Sequence, residues 1–371
     1  MKICVVCKDN HIFLNLQIEV KLYRMLKKRK LFWAFPALLC LLASCVDQPD
    51  YGRNPYDAFA NFDCLAETVG NRYCFFREKE IDWESLCRQY RAQISDSTTQ
   101  IDLFYIMADL LDNLEDGHVN LSSQFNTSYY KKWWSEYPQD FDMRTLEEYY
   151  LKFGGLQTSG MRYTMFLPDS IGYIYYPSFS AQIGETNLDY VLALLHQSKG
   201  LIIDIRDNGG GLLTNVPTLV SRFIDRPTTG GYIRHKTGPG PEDFSEPFEI
   251  IYEPCGPERI SYDGPISVLT NRSCFSAAND FVSVMKSLPQ VEIIGARTGG
   301  GCGLPFSSEL PNGWSIRFSA SPMTDPEGRL TELGIDPSPG CEMHCDPTEL
   351  AEGKDAILDF ALDRMKNKQR K

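Results

Sequence analysis

Apolar and polar residues follow two different periods along the chain, and the first is helical. Between Phe62 and Leu114 the apolar positions recur at i, i+3 and i+4, most clearly from Leu103 to Leu111. Asp82 precedes one of these segments, and Ser97 to Gln100 precede another, as capping residues do at helix starts. The sequence therefore predicts a helical region here, with one face of each helix buried.

From Ile171 onward, short apolar runs alternate with amphipathic segments. The predicted strands are 171–176, 201–205, 266–270 and 291–295, and the predicted helices are 188–196, 216–224 and 277–288. Continuous apolar runs are typical of strands that are buried on both faces, and their alternation with helices favours an α/β core with parallel pairing. A final helix is predicted from about Glu349 to Met365, whereas the aromatic-rich residues 126–170 show no clear period.

The N-terminal segment has the pattern of an export signal. Basic residues 27–30 precede an apolar run, Leu31–Leu42, and small residues then lead to Cys45. The run is too short to cross a hydrocarbon core of about 30 Å as a helix. Leu42-Ala43-Ser44-Cys45 resembles the bacterial lipobox, which implies a lipid on Cys45 and a membrane anchor. Acidic residues interrupt the first 24 positions, so we expect the true start at Met25.

The charge of the chain argues against nucleic acid as a partner. The formal net charge is −12, and the residues after position 45 carry 29 basic and 47 acidic side chains, a net of −18. Such a chain repels phosphate backbones. The expected partners are a peptide or protein substrate and, through Cys45, a membrane.

Cysteine spacing leaves the redox state open. After Cys45 the cysteines are Cys64, Cys74, Cys87, Cys255, Cys274, Cys302, Cys341 and Cys345. Export permits disulfides among them, and inert thiols are the alternative. Cys341, His344 and Cys345 could bind zinc, but their spacing fits no finger pattern well. We expect no metal and no organic cofactor.

Four segments carry the candidate chemistry. They are Glu115-Asp116-Gly117-His118-Val119, Asp204-Ile205-Arg206-Asp207-Asn208-Gly209-Gly210-Gly211, Ser273-Cys274-Phe275-Ser276-Ala277-Ala278-Asn279, and Gly295 to Gly301 followed by Glu332 to Pro337. In this order they resemble the S41 family of C-terminal processing and tricorn-like serine peptidases. The resemblance implies a crotonase/ClpP-like ββα core with an N-terminal helical subdomain. Residues 119–170 are too few to add a PDZ domain.

Ser276 is the candidate nucleophile. It precedes two alanines at a strand-to-helix turn, where backbone N–H groups and the helix dipole favour an oxyanion. An ordinary N-cap serine is the alternative reading of an isolated residue. Ser273 is the rival within the segment, but in the family the nucleophile directly precedes the small residues.

The glycine loop at 209–211 is the candidate oxyanion site. Glycines let backbone N–H groups approach a reacting carbonyl. The resemblance assigns the two donors to Gly210, with Gly209 as its neighbour, and to Ala277. A tight turn is the alternative, and a phosphate loop is weak because no GK[ST] follows.

His118 is the candidate base. The tail-specific branch of the family uses a lysine, but Gly301 stands in its place, whereas the tricorn-like branch uses a histidine that maps to His118. The ordinary pKa of histidine is about 6.5, so we expect activity to fall as the pH drops below about that value. Glu332 is the candidate third member that orients the imidazole. A structural histidine and a solvated loop glutamate are the alternatives.

Two departures from the family pattern accompany these assignments. Gly117 stands where the tricorn-like branch has a serine, and Asn279 replaces an acidic residue. They leave open a non-catalytic peptide-binding lipoprotein, and an esterase-type hydrolase is a further alternative.

The leading prediction is a serine endopeptidase of the cell envelope. Its regions are a signal at 1–45, a tether at 46–60, a helical subdomain at 61–125, a connection at 126–170, the peptidase core at 171–345 and a helix at 346–371.

Overall fold

The computed structural model describes residues 54–367, so Cys45, the predicted signal and most of the predicted tether lie outside the described part. The predicted helical region forms three helices, α1 (Ala58–Arg72), α2 (Trp83–Arg91) and α3 (Gln100–Asp112). Asp82 caps α2, and Thr99 forms a capping box with Asp102 at the start of α3. The first helix, α1, begins at Ala58, so the helical region starts three residues before the predicted position 61.

The chain then crosses two sheets. It runs through β1 (Asn120–Ser122), β2 (Thr127–Tyr129), α4 (Lys132–Ser135), α5 (Met143–Thr145), a π-helical turn (Leu146–Tyr150), β3 (Leu156–Thr158), β4 (Met161–Phe166) and β5 (Ile171–Tyr175). It continues through α6 (Glu185–Leu195), β6 (Gly200–Asp204), α7 (Asn215–Val220), β7 (Thr228–Ile233), β8 (Phe248–Tyr252), β9 (Ile266–Thr270), α8 (Ala277–Ser287) and β10 (Val291–Gly295). The last elements are β11 (Gly303–Glu309), β12 (Ser315–Thr324), α9 (Pro347–Ala351) and α10 (Ala356–Lys366).

One sheet has the strand order β10-β9-β6-β5-β4-β3, and its first four strands are parallel. Every residue of β5, β6 and β9 is buried, which explains why these strands are continuous apolar runs. The predicted α/β class is thereby confirmed. Ser276 and the glycine loop follow the carboxyl ends of β9 and β6, so the parallel pairing of these neighbouring strands brings both segments to one edge.

The second sheet has the order β2-β1-β12-β7-β8, with β11 also paired to β12. Its strands are antiparallel and only partly buried, and several carry polar residues on their exposed positions. These weak patterns explain why the sequence did not predict the sheet. Through β12 it places Ser319 beneath the loop that carries His118.

The predicted C-terminal helix is two helices. Gly353 adopts a φ of +99°, which ends α9 and breaks the continuous helix predicted from Glu349 to Met365. Asp355 then caps α10 through the backbone N–H of Leu358 at 2.9 Å.

The arginine of the glycine-loop motif has a structural role. The fully buried Arg206 forms ion pairs with Asp204 at 2.6 Å and with Asp355 at 2.7 Å. Breaking such a pair leaves an uncompensated buried charge, which is strongly destabilising. The network therefore fixes the start of the glycine loop to the start of α10.

All eight cysteines among the described residues are free thiols in this structure, and no disulfide joins any two of them. Within residues 54–367, no three metal-ligating side chains come together. The His344 Nδ1 atom instead lies 2.8 Å from an oxygen of Asp140. Across the same residues, none of the helices combines the length and apolar character needed to cross a bilayer.

Candidate active site

Ser276 occupies the sharp turn between β9 and α8. Its φ is +56° and its ψ is −122°, a conformation that side-chain-bearing residues rarely adopt. The Ser276 N–H donates to the carbonyl of Gly300 at 2.9 Å, which helps to hold the turn. The hydroxyl makes no capping hydrogen bond to α8, so the ordinary N-cap reading fails. Strain at a half-buried serine on such a turn is typical of nucleophile positions.

His118 and Ser276 come together although 158 positions separate them. The His118 Nε2 atom lies 2.9 Å from Ser276 Oγ, which is hydrogen-bonding distance for proton transfer. The backbone N–H of His118 donates to Asp116 Oδ1 at 2.7 Å. The ring of Phe275 packs against the imidazole with a centroid separation of 4.7 Å. These contacts fix the imidazole at the nucleophile.

Burial sets the protonation of the base. Desolvation lowers the pKa of His118 to about 4, against the opposing influence of Asp116 and with a smaller lowering by Arg317. The imidazole is therefore neutral at neutral pH and can accept the serine proton. This replaces the expectation of a pKa near the ordinary histidine value.

Glu332 is buried near this site but does not orient the imidazole directly. Its carboxylate forms an ion pair with Lys79 Nζ at 3.0 Å and accepts the Cys302 N–H at 3.0 Å. Among the described residues, no hydrogen bond joins Glu332 to His118. Burial and the nearby Asp116 carboxylate raise the pKa of Glu332, whereas Lys79 lowers it. The predicted direct triad contact is thus absent from the geometry.

Ser319 is the residue that faces the far side of the imidazole. Its Oγ lies 3.5 Å from His118 Nδ1, at the outer limit of hydrogen bonding, and its side chain is fully buried on β12. The sequence missed Ser319 because it lies in no motif of the recognised segments. Only the pairing of β12 with its neighbours places it under His118.

Lys79 was also missed. Besides Glu332, its ammonium donates to the carbonyls of Leu114 and Glu115, each at 3.1 Å. Asp116 and Glu332 raise the pKa of Lys79 against the effect of burial, so the lysine stays charged. Lys79 therefore links the segment before α2 to the loop that carries His118.

The glycine loop packs directly against the nucleophile. A Cβ atom at Gly210, whose φ is +91°, would lie 2.8 Å from Ser276 Cβ and 2.5 Å from the Phe275 carbonyl oxygen. Only glycine fits there. The Gly210 N–H donates to Asn208 Oδ1 at 3.0 Å, so this predicted oxyanion donor has an internal partner. Gly209 has open space, and Ala277 begins α8 directly after Ser276.

An aromatic pair fills the two places where the branches of the family carry catalytic side chains. Trp133 stacks on Phe275 with ring centroids 4.2 Å apart. A Cβ at Gly301 would lie 2.4 Å from the Phe275 ring, and one at Gly117 would lie 2.6 Å from Trp133 Nε1. Neither a lysine at Gly301 nor a serine at Gly117 would fit without moving these rings.

Asn279 has a structural role. Its side chain accepts from Thr298 Oγ1 at 2.6 Å and donates to Thr331 Oγ1 at 3.0 Å. It thereby ties α8 to the segment that precedes Glu332. An acidic residue could accept the first bond but could not donate the second while ionised.

The α/β fold and the contact between a strained serine and a neutral imidazole are the features of a serine peptidase. Residues 170–338 match the family model of peptidase family S41, and residues 58–112 match that of the tricorn protease C1 domain. The crystal structure of a candidate peptidase from Parabacteroides merdae is 41% identical, covers 85% of this chain and 97% of that one, and has a TM-score of 0.78. The chain belongs to peptidase family S41.

More distant relatives agree with this assignment. The carboxy-terminal processing protease CtpB of Bacillus subtilis is 24% identical over 174 residues, which are 46% of this chain and 33% of that protein. The chain thus spans about a third of this curated relative. Mature CPAF is 13% identical, with a TM-score of 0.63 over 84% of this chain and 96% of that one, and it shares the fold.

Proposed function

We propose that this protein hydrolyses peptide bonds through an acyl-enzyme on Ser276, with His118 as the general base. The observation that carries the proposal is the 2.9 Å contact between His118 Nε2 and Ser276 Oγ at a strained turn. The neutral imidazole takes the hydroxyl proton as Oγ attacks the peptide carbonyl. It then returns the proton to the leaving amine, and water releases the acyl group by the same steps in reverse order.

The developing oxyanion needs backbone donors beside Ser276. The Ala277 N–H at the start of α8 is one, and it is aided by the helix dipole. The glycine loop supplies the other, from Gly210 or its neighbour Gly209. Because the Gly210 N–H is bonded to Asn208 in this structure, we infer that this bond exchanges for the oxyanion when substrate binds.

In this proposal, several residues share the role of orienting His118 and stabilising its charge. Ser319 holds the Nδ1 side of His118, the charges of Asp116 and Lys79 act on the imidazole, and Glu332 is paired with Lys79. Asp116 favours the imidazolium that forms during the reaction, because it raises the pKa of His118. Glu332 holds Lys79 in place and acts on the base only through this cluster.

Labelling with a fluorophosphonate tests the proposal. We expect the wild-type protein to be modified on Ser276, and Ser276→Ala to lose both labelling and peptide hydrolysis while its stability changes by about 1 kcal/mol or less. Ser273→Ala is the matched control and should keep both. A Ser276→Ala variant that retains more than a few per cent of activity would exclude this serine, and no labelling of the wild type would favour the non-catalytic reading. Matched ester and peptide substrates separate the peptidase from an esterase.

A cell-envelope location is part of the same proposal. The basic and apolar segments before Cys45 support export, and Leu42-Ala43-Ser44-Cys45 supports lipidation. A structural neighbour is a lipoprotein from Streptococcus agalactiae, with 16% identity and a TM-score of 0.54. The proposed enzyme would then act on peptides or proteins near the membrane to which it is anchored.

A further inference from the structure

A pocket with a volume of about 400 Å³ lies between the segment that follows α1, the end of β12 and the connection from β7 to β8. This volume is within the usual range for sites that hold a ligand. Thr324 lines both this pocket and the small recess that contains Ser276. The pocket therefore adjoins the candidate active site, and a peptide bound at Ser276 can extend into it.

Four charged residues line this pocket, and one of them lacks a counter-ion within the chain. Arg77 forms ion pairs with both glutamates of the lining, at 2.9 Å to Glu242 and at 3.6 Å to Glu78. Arg234 is the fourth, and across residues 54–367 no aspartate or glutamate forms an ion pair with it. The lining therefore presents a guanidinium that is available to an anionic group from outside the chain.

Two contacts hold the guanidinium of Arg234 in place. Its Nε atom donates to the carbonyl of Ser245 at 2.9 Å, and its Cζ atom lies 5.3 Å from the centre of the Phe244 ring. The side chain is only partly buried, and its two terminal nitrogens make no hydrogen bond with any other described residue. Two neighbouring N–H donors in one fixed plane match the two oxygens of a carboxylate.

The pocket is open at its rim, so a chain can pass through it. Pro241 and Glu242 are exposed, and Leu330 is 41% exposed. The pair between Arg77 and Glu242 joins two walls at this rim, but both side chains are mostly exposed, and such pairs are weak. A peptide can therefore continue beyond the pocket, and the group that reaches Arg234 is a side chain rather than the end of the chain.

We propose that this pocket binds an acidic side chain of the substrate, some residues away from the cleaved bond, and that Arg234 recognises its carboxylate. The inference rests on the proposed peptidase function, which makes a peptide the ligand. The carboxylate accepts two hydrogen bonds from the terminal nitrogens of Arg234, and Pro322 and Leu330 supply apolar wall for the rest of the peptide. A glutamine at the same place has one acceptor oxygen and no charge, so it binds less tightly.

The test compares pairs of internally quenched peptides with an amidated C-terminus, which differ only in one glutamate or glutamine. This residue is moved in turn along both sides of the cleaved bond. At one position we expect kcat/KM for glutamate to exceed that for glutamine by about 5- to 20-fold, mainly through KM. In Arg234→Gln the ratio should fall to near one, and Arg234→Glu should favour lysine at that position. Arg226→Gln removes the same charge from an exposed arginine outside the pocket, so it should keep the wild-type ratio.

Binding of the same peptides to Ser276→Ala, measured by fluorescence anisotropy, tests the pocket without turnover. Equal affinity for the glutamate and glutamine peptides, or a preference that Arg234→Gln leaves unchanged in this background, would overturn the acidic subsite while cleavage by the wild type stands. A preference that appears only when the C-terminus is a free acid would also overturn it. A preference that depends on Arg234, without cleavage or labelling of the wild type, would support the pocket and overturn the peptidase function.

Thermal unfolding and the rate of fluorophosphonate labelling show whether Arg234→Gln is folded with an intact active site, and we expect both to match the wild type. If this variant does not fold, Arg234→Lys decides, because lysine keeps the charge but lacks the planar pair of donors. The ratio of glutamate to glutamine should then fall several-fold, and an unchanged ratio would contradict recognition by the guanidinium.

Discussion

Ser319 and Glu332 are the two candidates for orienting His118, and their contacts predict different effects of mutation on rate and stability. Ser319→Ala removes the hydroxyl at His118 Nδ1, so we expect the rate of Ser276 labelling to fall about tenfold while thermal stability changes little. Glu332→Gln weakens the pair with Lys79, so we expect a lower unfolding temperature and a smaller change in rate. A large loss of rate at Glu332, without loss of stability, would return the triad role to this carboxylate.

The protonation of His118 predicts the acid limit of the enzyme. Protonated imidazole cannot accept the serine proton, so activity is present above the pKa of the base and is lost as the pH falls through it. Because burial lowers the pKa of His118 to about 4, we expect the rate of labelling by an uncharged fluorophosphonate to stay near its plateau at pH 6. A midpoint near the ordinary histidine value would show that solvent reaches the imidazole.

At the scale of elements, two glycines make a matched pair for testing how rigid the aromatic pair of Trp133 and Phe275 is. Gly301 and Gly328 have φ values of +78° and +80°, so alanine meets the same backbone strain at both. Only at Gly301 does a Cβ collide with the Phe275 ring, whereas Gly328 has open space. We expect Gly328→Ala to cost about 1 kcal/mol and Gly301→Ala at least about 2 kcal/mol more, with loss of Ser276 labelling. If chemical denaturation showed equal losses of unfolding free energy for the two variants, the Phe275 ring would be able to move aside at little cost.

The elements also show what the sequence could predict. Parallel strands such as β6 and β9 are buried on both faces, so their apolar runs are direct signals, and the caps of α2 and α3 are local motifs. Strands β7, β8, β11 and β12 depend on long-range antiparallel pairing between half-exposed segments, and no local pattern marks them. The break between α9 and α10 depended on one glycine within an otherwise helical pattern.

The residues of the site likewise divide into those that the sequence predicted and those that it did not. Ser276 and His118 lie in recognisable segments, and the structure brings them into contact. Lys79 and Ser319 lie far apart in sequence and in no motif, so only the assembled tertiary structure places them near the base. Glu332 was predicted from its segment, but what its carboxylate binds is decided by Lys79, which arrives from the helical region.

At the scale of the whole molecule, the proposed anchor predicts where the protein resides. We expect wild-type protein to incorporate labelled fatty acid and to fractionate with membranes, and Cys45→Ala to lose both, because one thiol carries the lipid. Cys64→Ala is a control, since this cysteine lies within α1 and should leave lipidation unchanged. Membrane association that persists in Cys45→Ala, with unchanged acyl labelling, would contradict the anchor.

The strained turn at Ser276 has a consequence for the history of the chain. With a φ of +56°, this position would accommodate glycine with less strain, so replacement of Ser276 by glycine would relieve strain there. In a lineage that no longer needed the reaction, drift would therefore encounter little resistance to replacing the serine. A side chain kept where the backbone favours none is what selection for chemistry, rather than for folding, leaves behind.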